Sequence, residues 1–193
     1  MPGCQGVKHV AEAAKAAGVK KVVLCSCFLV SDRQRFSLTR FFMNVGPKWR
    51  MMDRKWEGEC ALRAAGIPYT IVRPGALYLT WDGSGGSSGK AYLISASQGQ
   101  RALGGRIARS DLAAVLAACA LDLAAAADTT FDCAQLEPPT PLPHVDDGTR
   151  WDGLRGLVPD SEAPIEHVPW LGLAGTEVSA PAREGGKAEA AAG

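Results

Sequence analysis

The sequence predicts an α/β protein built on a parallel sheet with flanking helices, and two observations predict it. The order helix, Ala-Ala-Gly, strand occurs twice: AAKAAGVKKVVLCS and ALRAAGIPYTIVRP agree in both order and chemistry. Each strand segment is an apolar, β-prone run without polar alternation, the pattern of a strand covered on both faces. Repeated αβ units with right-handed crossovers lay such strands side by side in one direction. With 193 residues, 47% hydrophobic and 21% charged, the composition is that of a soluble globular domain with one core.

The chain opens with a helix in which Val7, Val10, Ala11 and Ala14 form an apolar stripe opposite Lys8, Glu12 and Lys15, and Gly18 stops it. About six residues precede that stripe. Lys20 to Ser26 is a lysine-led apolar run, expected as an interior strand. Phe28 to Trp49 is a mixed connection with Arg33, Arg35, Arg40, Phe41-Phe42-Met43 and a break at Gly46-Pro47. It is read as a loop over the sheet with one short helix rather than as a nucleic-acid patch. The helix from Met51 to Ala65 turns Met52, Trp56 and Cys60 inward at four-residue steps. Gly66 closes it, Tyr69 to Val72 is a buried strand, and Arg73-Pro74-Gly75 forces the chain out at that strand's carboxyl end. Ligands sit at that end in open α/β sheets.

Beyond Leu77, GSGGSSGK departs from the phosphate-cradling pattern, because Ser84 stands where its first Gly is needed and Ala91 follows Lys90. It is read as a flexible loop. Ala91 to Ser95 is a possible short strand. Ser110 then caps a helix with Asp111 at its positive end and Leu112, Val115, Leu116, Cys119 and Leu123 on one face. Thr129 to Cys133 is the last strand. Residues 1–136 are expected to form the domain. Residues 137–193, Pro-rich and acidic and then Ala/Gly/Glu-rich, read as a mostly disordered tail with one or two short contacts back.

The net charge of +1 gives no reason to expect nucleic acid or an anionic membrane surface, and no apolar run of about 18 residues is present to span a bilayer. The start has neither a signal-peptide core nor a transit-peptide composition. Cys4, Cys25, Cys27, Cys60, Cys119 and Cys133 are scattered through apolar segments, so reduced, packed thiols in an intracellular protein are expected. Metal binding is not expected: His9, His144 and His167 lie far apart without Cys partners. Cys25-x-Cys27 lacks the C-x-x-C redox spacing, and Ser26 lacks a G-x-S-x-G setting.

Three segments carry a family resemblance. GIPYTIVRPGAL resembles the strand and loop beside the nicotinamide in atypical short-chain dehydrogenase/reductases, the NAD(P)-binding Rossmann proteins of the NmrA-like and plastid kinds. Met52 to Arg63 resembles their L-D-Y-K-R-x-G-E-x-A-L-R helix, and Ile107-Ala108-Arg109-Ser110-Asp111-Leu112-Ala113 resembles their I-x-R-x-D-[VL]-A segment. The resemblance implies a Rossmann-like fold of which roughly Gly6 to Cys133 is the second half. It implies NADP or NAD as cofactor and a small-molecule substrate. It makes Ser26 and Lys55 the catalytic residues, and Ser26, Lys55, Pro74, Gly75 and Ala76 the cofactor-binding ones.

Two departures follow from the same resemblance. No strand, Gly-rich turn and helix start precede Val7 to take a pyrophosphate, so the chain is expected to be a fragment lacking its N-terminal half or, second, a degenerate protein. In these reductases a Lys lowers the pKa of a Tyr that exchanges the substrate proton. Here Arg54 replaces the Tyr before Lys55, Met51 stands four before it, and the tyrosines are Tyr69, Tyr78 and Tyr92. The leading function is that of an oxidoreductase-type NAD(P)-binding protein; the alternative is a non-catalytic nucleotide-sensing or assembly factor. Arg73 is either a structural ion pair or a cofactor contact. A protein partner through the exposed sheet edge or the tail completes the expectations.

Overall fold

The computed structural model describes residues 2–31, 38–45, 50–78, 94–98, 105–122, 124, 126–135, 154 and 157–162. The Gly/Ser loop and the tail tryptophans lie outside them, as do Leu123, His144 and His167. Helix α1 (Pro2–Ala16) leads to strand β1 (Val22–Cys25), then α2 (Leu38–Val45), α3 (Met51–Ala64) and β2 (Tyr69–Pro74). Strands β3 (Ala76–Tyr78), β4 (Ile94–Ser97) and β5 (Arg106–Ala108), helix α4 (Arg109–Leu121) and strand β6 (Thr129–Gln135) follow.

The main sheet has the order β1-β2-β6-β4, and β3 pairs with β5 in a second. β1 runs parallel to β2 from Val22 opposite Tyr69 to Cys25 opposite Val72, and β2 runs parallel to β6. These are the expected αβ units. Gly18 and Gly66, at φ 70° and 64°, close the two helices in the left-handed region glycine favours. Several expectations need correction. α1 starts at Pro2, well before the apolar stripe. Val10 is exposed; Ala11 is the buried contact, with Val7 and Ala14 beside it. β1 is not an interior strand here: among the described residues it pairs with β2 alone. β2 continues two residues past Val72 through the buried Arg73 and Pro74, because Arg73 finds a carboxylate on α3. The short strand lies at Ile94–Ser97 and is antiparallel to β6. Ser110 does not cap α4, whose N-cap is Ala108.

Two cores form on the two faces of the sheet. Ile107, Leu112, Val115, Cys119, Phe131 and Cys133 gather with Val72 on the α4 side, and Leu154 joins them. Ala11, Leu62, Ile67, Tyr69 and Ile71 gather on the α1–α3 side. The segment 157–162 returns to the domain: Gln98 Nε2 donates to Val158 O at 2.6 Å and Val158 N donates to Gln98 Oε1 at 3.0 Å. Cys25, Cys27, Cys60, Cys119 and Cys133 form no disulfide.

Candidate functional site

β1 and β2 end together. Ser26 N donates to Val72 O at 2.8 Å and Phe28 N donates to Pro74 O at 3.1 Å, so the chain leaving β1 is pinned beside the end of β2. Gly75 N then donates to Cys133 O at 2.9 Å, and Ala76 N to Gly105 O at 3.0 Å. A Cβ on Gly75 would lie 2.5 Å from Gly105 O, so only glycine lets these two backbones pass. Ser26, Pro74 and Gly75 are buried there, while Ala76 is exposed.

Lys55, on α3, reaches the same end of the sheet. Its charge acts on the Cys25 and Cys27 thiols, opposing the burial that pushes both above their ordinary value. Among the described residues Lys55 makes no hydrogen bond or ion pair. Cys25 is exposed as a residue although its thiol is shielded. Arg54, in the place of the resembled tyrosine, is half-buried one step back on α3.

Behind these residues stands a buried charge network that periodicity alone missed. The Ser26 hydroxyl donates to Glu59 Oε1 in a short contact. Arg73 grips the same carboxylate with two bonds, Nε to Oε1 at 3.1 Å and a terminal nitrogen to Oε2 at 2.6 Å. Arg63, one turn along α3 from Glu59, donates to Oε2 at 3.0 Å and to Thr130 Oγ1 at 2.9 Å. Its Nε donates to Asp160 Oδ2 at 3.2 Å. Burial opposes the Arg63 charge, but the Glu59 and Asp160 carboxylates outweigh it and hold the guanidinium above its ordinary value. Asp160 Oδ2 also accepts from Tyr69 at 2.9 Å and from Thr130 Oγ1 at 2.6 Å. Trp56 lies within 5.2 Å of the Arg63 Cζ and 5.8 Å of the Arg73 Cζ, measured to the ring centroid. The inward face of α3 is therefore Met52, Gly58, Glu59 and Leu62 rather than Met52, Trp56 and Cys60, and Cys60 is exposed. Apolar spacing misplaced the face because an ion pair outbids a thiol for the buried position. The visible signal was Glu59 and Arg63 at helical i,i+4 spacing beside an Arg in a buried strand.

Chemically, the described residues at the sheet end offer the Lys55 ammonium, unpaired among them, two partly shielded thiols and a strand-end loop of small residues. The Ser26 hydroxyl is already committed to Glu59. Arg73 serves as a structural ion partner.

Fold and site together define an α/β domain with a lysine near the carboxyl end of a parallel strand. A family model described as NAD(P)H-binding matches residues 3–122, more than half of the chain, and the chain belongs to that family. None of the curated proteins matches it. Among solved structures it is similar to a Bacillus halodurans protein assigned as an NAD-dependent epimerase/dehydratase, at TM-score 0.54 and 22% identity, over 71% of this chain and 55% of that one. ChuY, an anaerobillin reductase of Escherichia coli O157:H7, gives TM-score 0.54 at 20% identity over 71% and 60%. A wide-type short-chain dehydrogenase/reductase of Veillonella parvula, in complex with NADP, gives 0.52 at 15% over 73% and 62%. At such identities the likeness establishes the Rossmann-like fold. The chain spans little more than half the length of these neighbours.

Proposed function

We propose that this chain forms the nicotinamide end of an NAD(P)-dependent oxidoreductase, with NADP as the preferred dinucleotide. Membership of the NAD(P)H-binding family supports the cofactor class. The NADP complex of the Veillonella neighbour is consistent with the preferred form. The observation that carries the reading is the Lys55 ammonium, unpaired among the described residues, at the carboxyl end of β1 near the loop from Pro74 to Ala76. An ammonium there is fitted to hold ribose hydroxyls, and Gly75 and Ala76 leave room beside the strand end. When bound, the reduced dinucleotide supplies a hydride. Ser26 positions rather than donates to substrate: its hydroxyl hydrogen-bonds to Glu59, which couples the end of β1 to α3 and so to Lys55. Arg54 does not replace a tyrosine as proton donor, because a guanidinium stays protonated near neutral pH.

The described residues fit the nicotinamide end of the dinucleotide; none of them forms a Gly-rich strand-turn-helix for its pyrophosphate. NADPH is therefore expected to bind the 193-residue chain weakly, in the millimolar range. Titrating it into isotope-labelled protein should shift the amide resonances of Ser26, Gly75 and Ala76, and Lys55→Ala should remove those shifts. Micromolar saturation, or shifts confined to another surface, would refute this placement.

A further inference from the structure

A hydride delivered to a carbonyl carbon leaves negative charge on the oxygen, and a proton must reach that atom from a group held beside it. Most donors in this chain are already engaged elsewhere. The Ser26 hydroxyl is turned to Glu59. The Tyr69 hydroxyl donates to Asp160 Oδ2 at 2.9 Å, and that of Tyr78 to Gln135 Oε1 at 2.6 Å. Tyr92 lies outside the described residues. The Arg54 guanidinium keeps its proton across the neutral range. The Cys133 thiol is sealed in the α4 core at 1% exposure. Beside the ends of β1 and β2 this leaves, among the described residues, the Cys25 and Cys27 thiols and the Lys55 ammonium, which the reading above commits to ribose.

Of the two thiols, Cys27 is the better placed. Ser26 N and Phe28 N donate on either side of it, to Val72 O and Pro74 O, so its backbone is held beside the point where β2 gives way to Gly75 and Ala76. Cys25 stands further back, inside the strand and opposite Val72. Burial pushes the Cys27 thiol above its ordinary value and so keeps it protonated at neutral pH. Among the charges that act on it, the Lys55 ammonium is the strongest and opposes that rise, while Cys25 on β1 and Glu59 on α3 add to it. A general acid needs both conditions: its proton present before the step, and a cation near the base that the step leaves behind.

We propose that Cys27 is the proton donor of this site, that Lys55 is the counter-charge of its thiolate, and that the acceptor is a carbonyl compound. The inference rests on the nicotinamide-end reading. In the step the C=O π bond breaks, the carbon gains the hydride that the reduced dinucleotide supplies, and the oxygen gains the Cys27 Sγ proton. An alcohol forms, and the thiolate beside Lys55 is reprotonated from water. The test uses the full chain at saturating NADPH with a panel of aldehydes and ketones, together with the amide shifts of Gly75 and Ala76. Cys27→Ala should lower kcat by about a hundredfold while those shifts persist. Cys27→Ser, the near-isosteric variant, should lose as much, because a hydroxyl is a far weaker acid than a thiol. In the unaltered chain kcat should fall as pH rises through the Cys27 ionisation, and both variants should lack that fall. Without turnover, Lys55→Met should raise the pH at which Cys27 is alkylated by iodoacetamide, mapped by mass spectrometry. Absent NADPH shifts would refute the nicotinamide-end reading and this inference with it. Shifts without carbonyl reduction, a kcat within about twofold in both Cys27 variants, a loss on Cys25→Ala in their place, or an alkylation profile unmoved by Lys55→Met would overturn the donor alone.

Discussion

On the α4 side of the sheet, Val72 and its register partner Phe131 meet Leu112, Val115 and Cys119 in a core of apolar side chains and a thiol. One residue further along the same strands, Arg73 and its register partner Asp132 turn to the opposite face, where Glu59 and Arg63 descend from α3. The alternation of side chains along a strand puts these two chemistries back to back within one sheet. Apolar packing is non-directional and tolerates small shifts, whereas a buried carboxylate must keep its partners in register. The ionic face is also the one that carries Ser26 and Lys55. Fixing Glu59 over Arg73 fixes the rotation and height of α3, and with them the place of the Lys55 ammonium.

The strongest way to break this contrast is Glu59→Ala, which takes away the carboxylate that grips the buried Arg73 and one of the two carboxylates that Arg63 meets. A loss of about 3–5 kcal/mol in urea unfolding is expected, with most of it recovered when Glu59 and Arg73 are both replaced by Met. A single-mutant loss below about 1 kcal/mol would mean that water reaches the pair. Next comes Gly75→Ala, which must move the Gly105 carbonyl and should cost about 2–3 kcal/mol. The α4 face has its own signature in pH. Burial, with lesser help from nearby Cys119 and Asp111, pushes the Cys133 thiol from 9.0 up to about 12. The fold thus favours the protonated thiol, and its contribution is complete below about pH 9 and falls as pH rises towards 12. Tyr69, raised by burial and by Asp160, adds in the same direction. Urea melts across the alkaline range should show this fall, and Cys133→Ala should flatten it. Ser26→Ala, which removes one of several donors to Glu59, should cost only about 1 kcal/mol. Lys55→Ala should leave stability within about 0.5 kcal/mol while removing the NADPH-dependent shifts, which separates a ligand contact from a structural one.

The helix–strand order was legible because each element declares itself locally: apolar runs for β1 and β2, glycines for the helix ends. Of the candidate site, half was legible as a proposal. Ser26, Lys55 and Pro74–Ala76 came from recognisable segments. Glu59, Arg73, Arg63 and Asp160 came together only through the fold, Arg63 and Asp160 from 97 residues apart. A reading that looks for apolar residues cannot foresee a carboxylate at 0% exposure. Cys60 was misplaced for the same reason, since Glu59 takes the inward position beside it, whereas Val10 lost the inward position to Ala11 of the same stripe.

Asp160 carries one more consequence. It lies beyond the last strand, yet its carboxylate takes the Thr130 amide at 2.7 Å together with the Tyr69 hydroxyl and the Arg63 guanidinium. A protease that cut between β6 and Leu154 would spare every described strand and helix of the sheet. It would also turn a tethered counter-ion into a separate peptide that must find its socket from solution. The length of chain that keeps the interior neutral is thus set by one carboxylate, not by the end of the sheet. Nicking in that connection would show as a concentration-dependent melt, the signature of two pieces holding together without a bond.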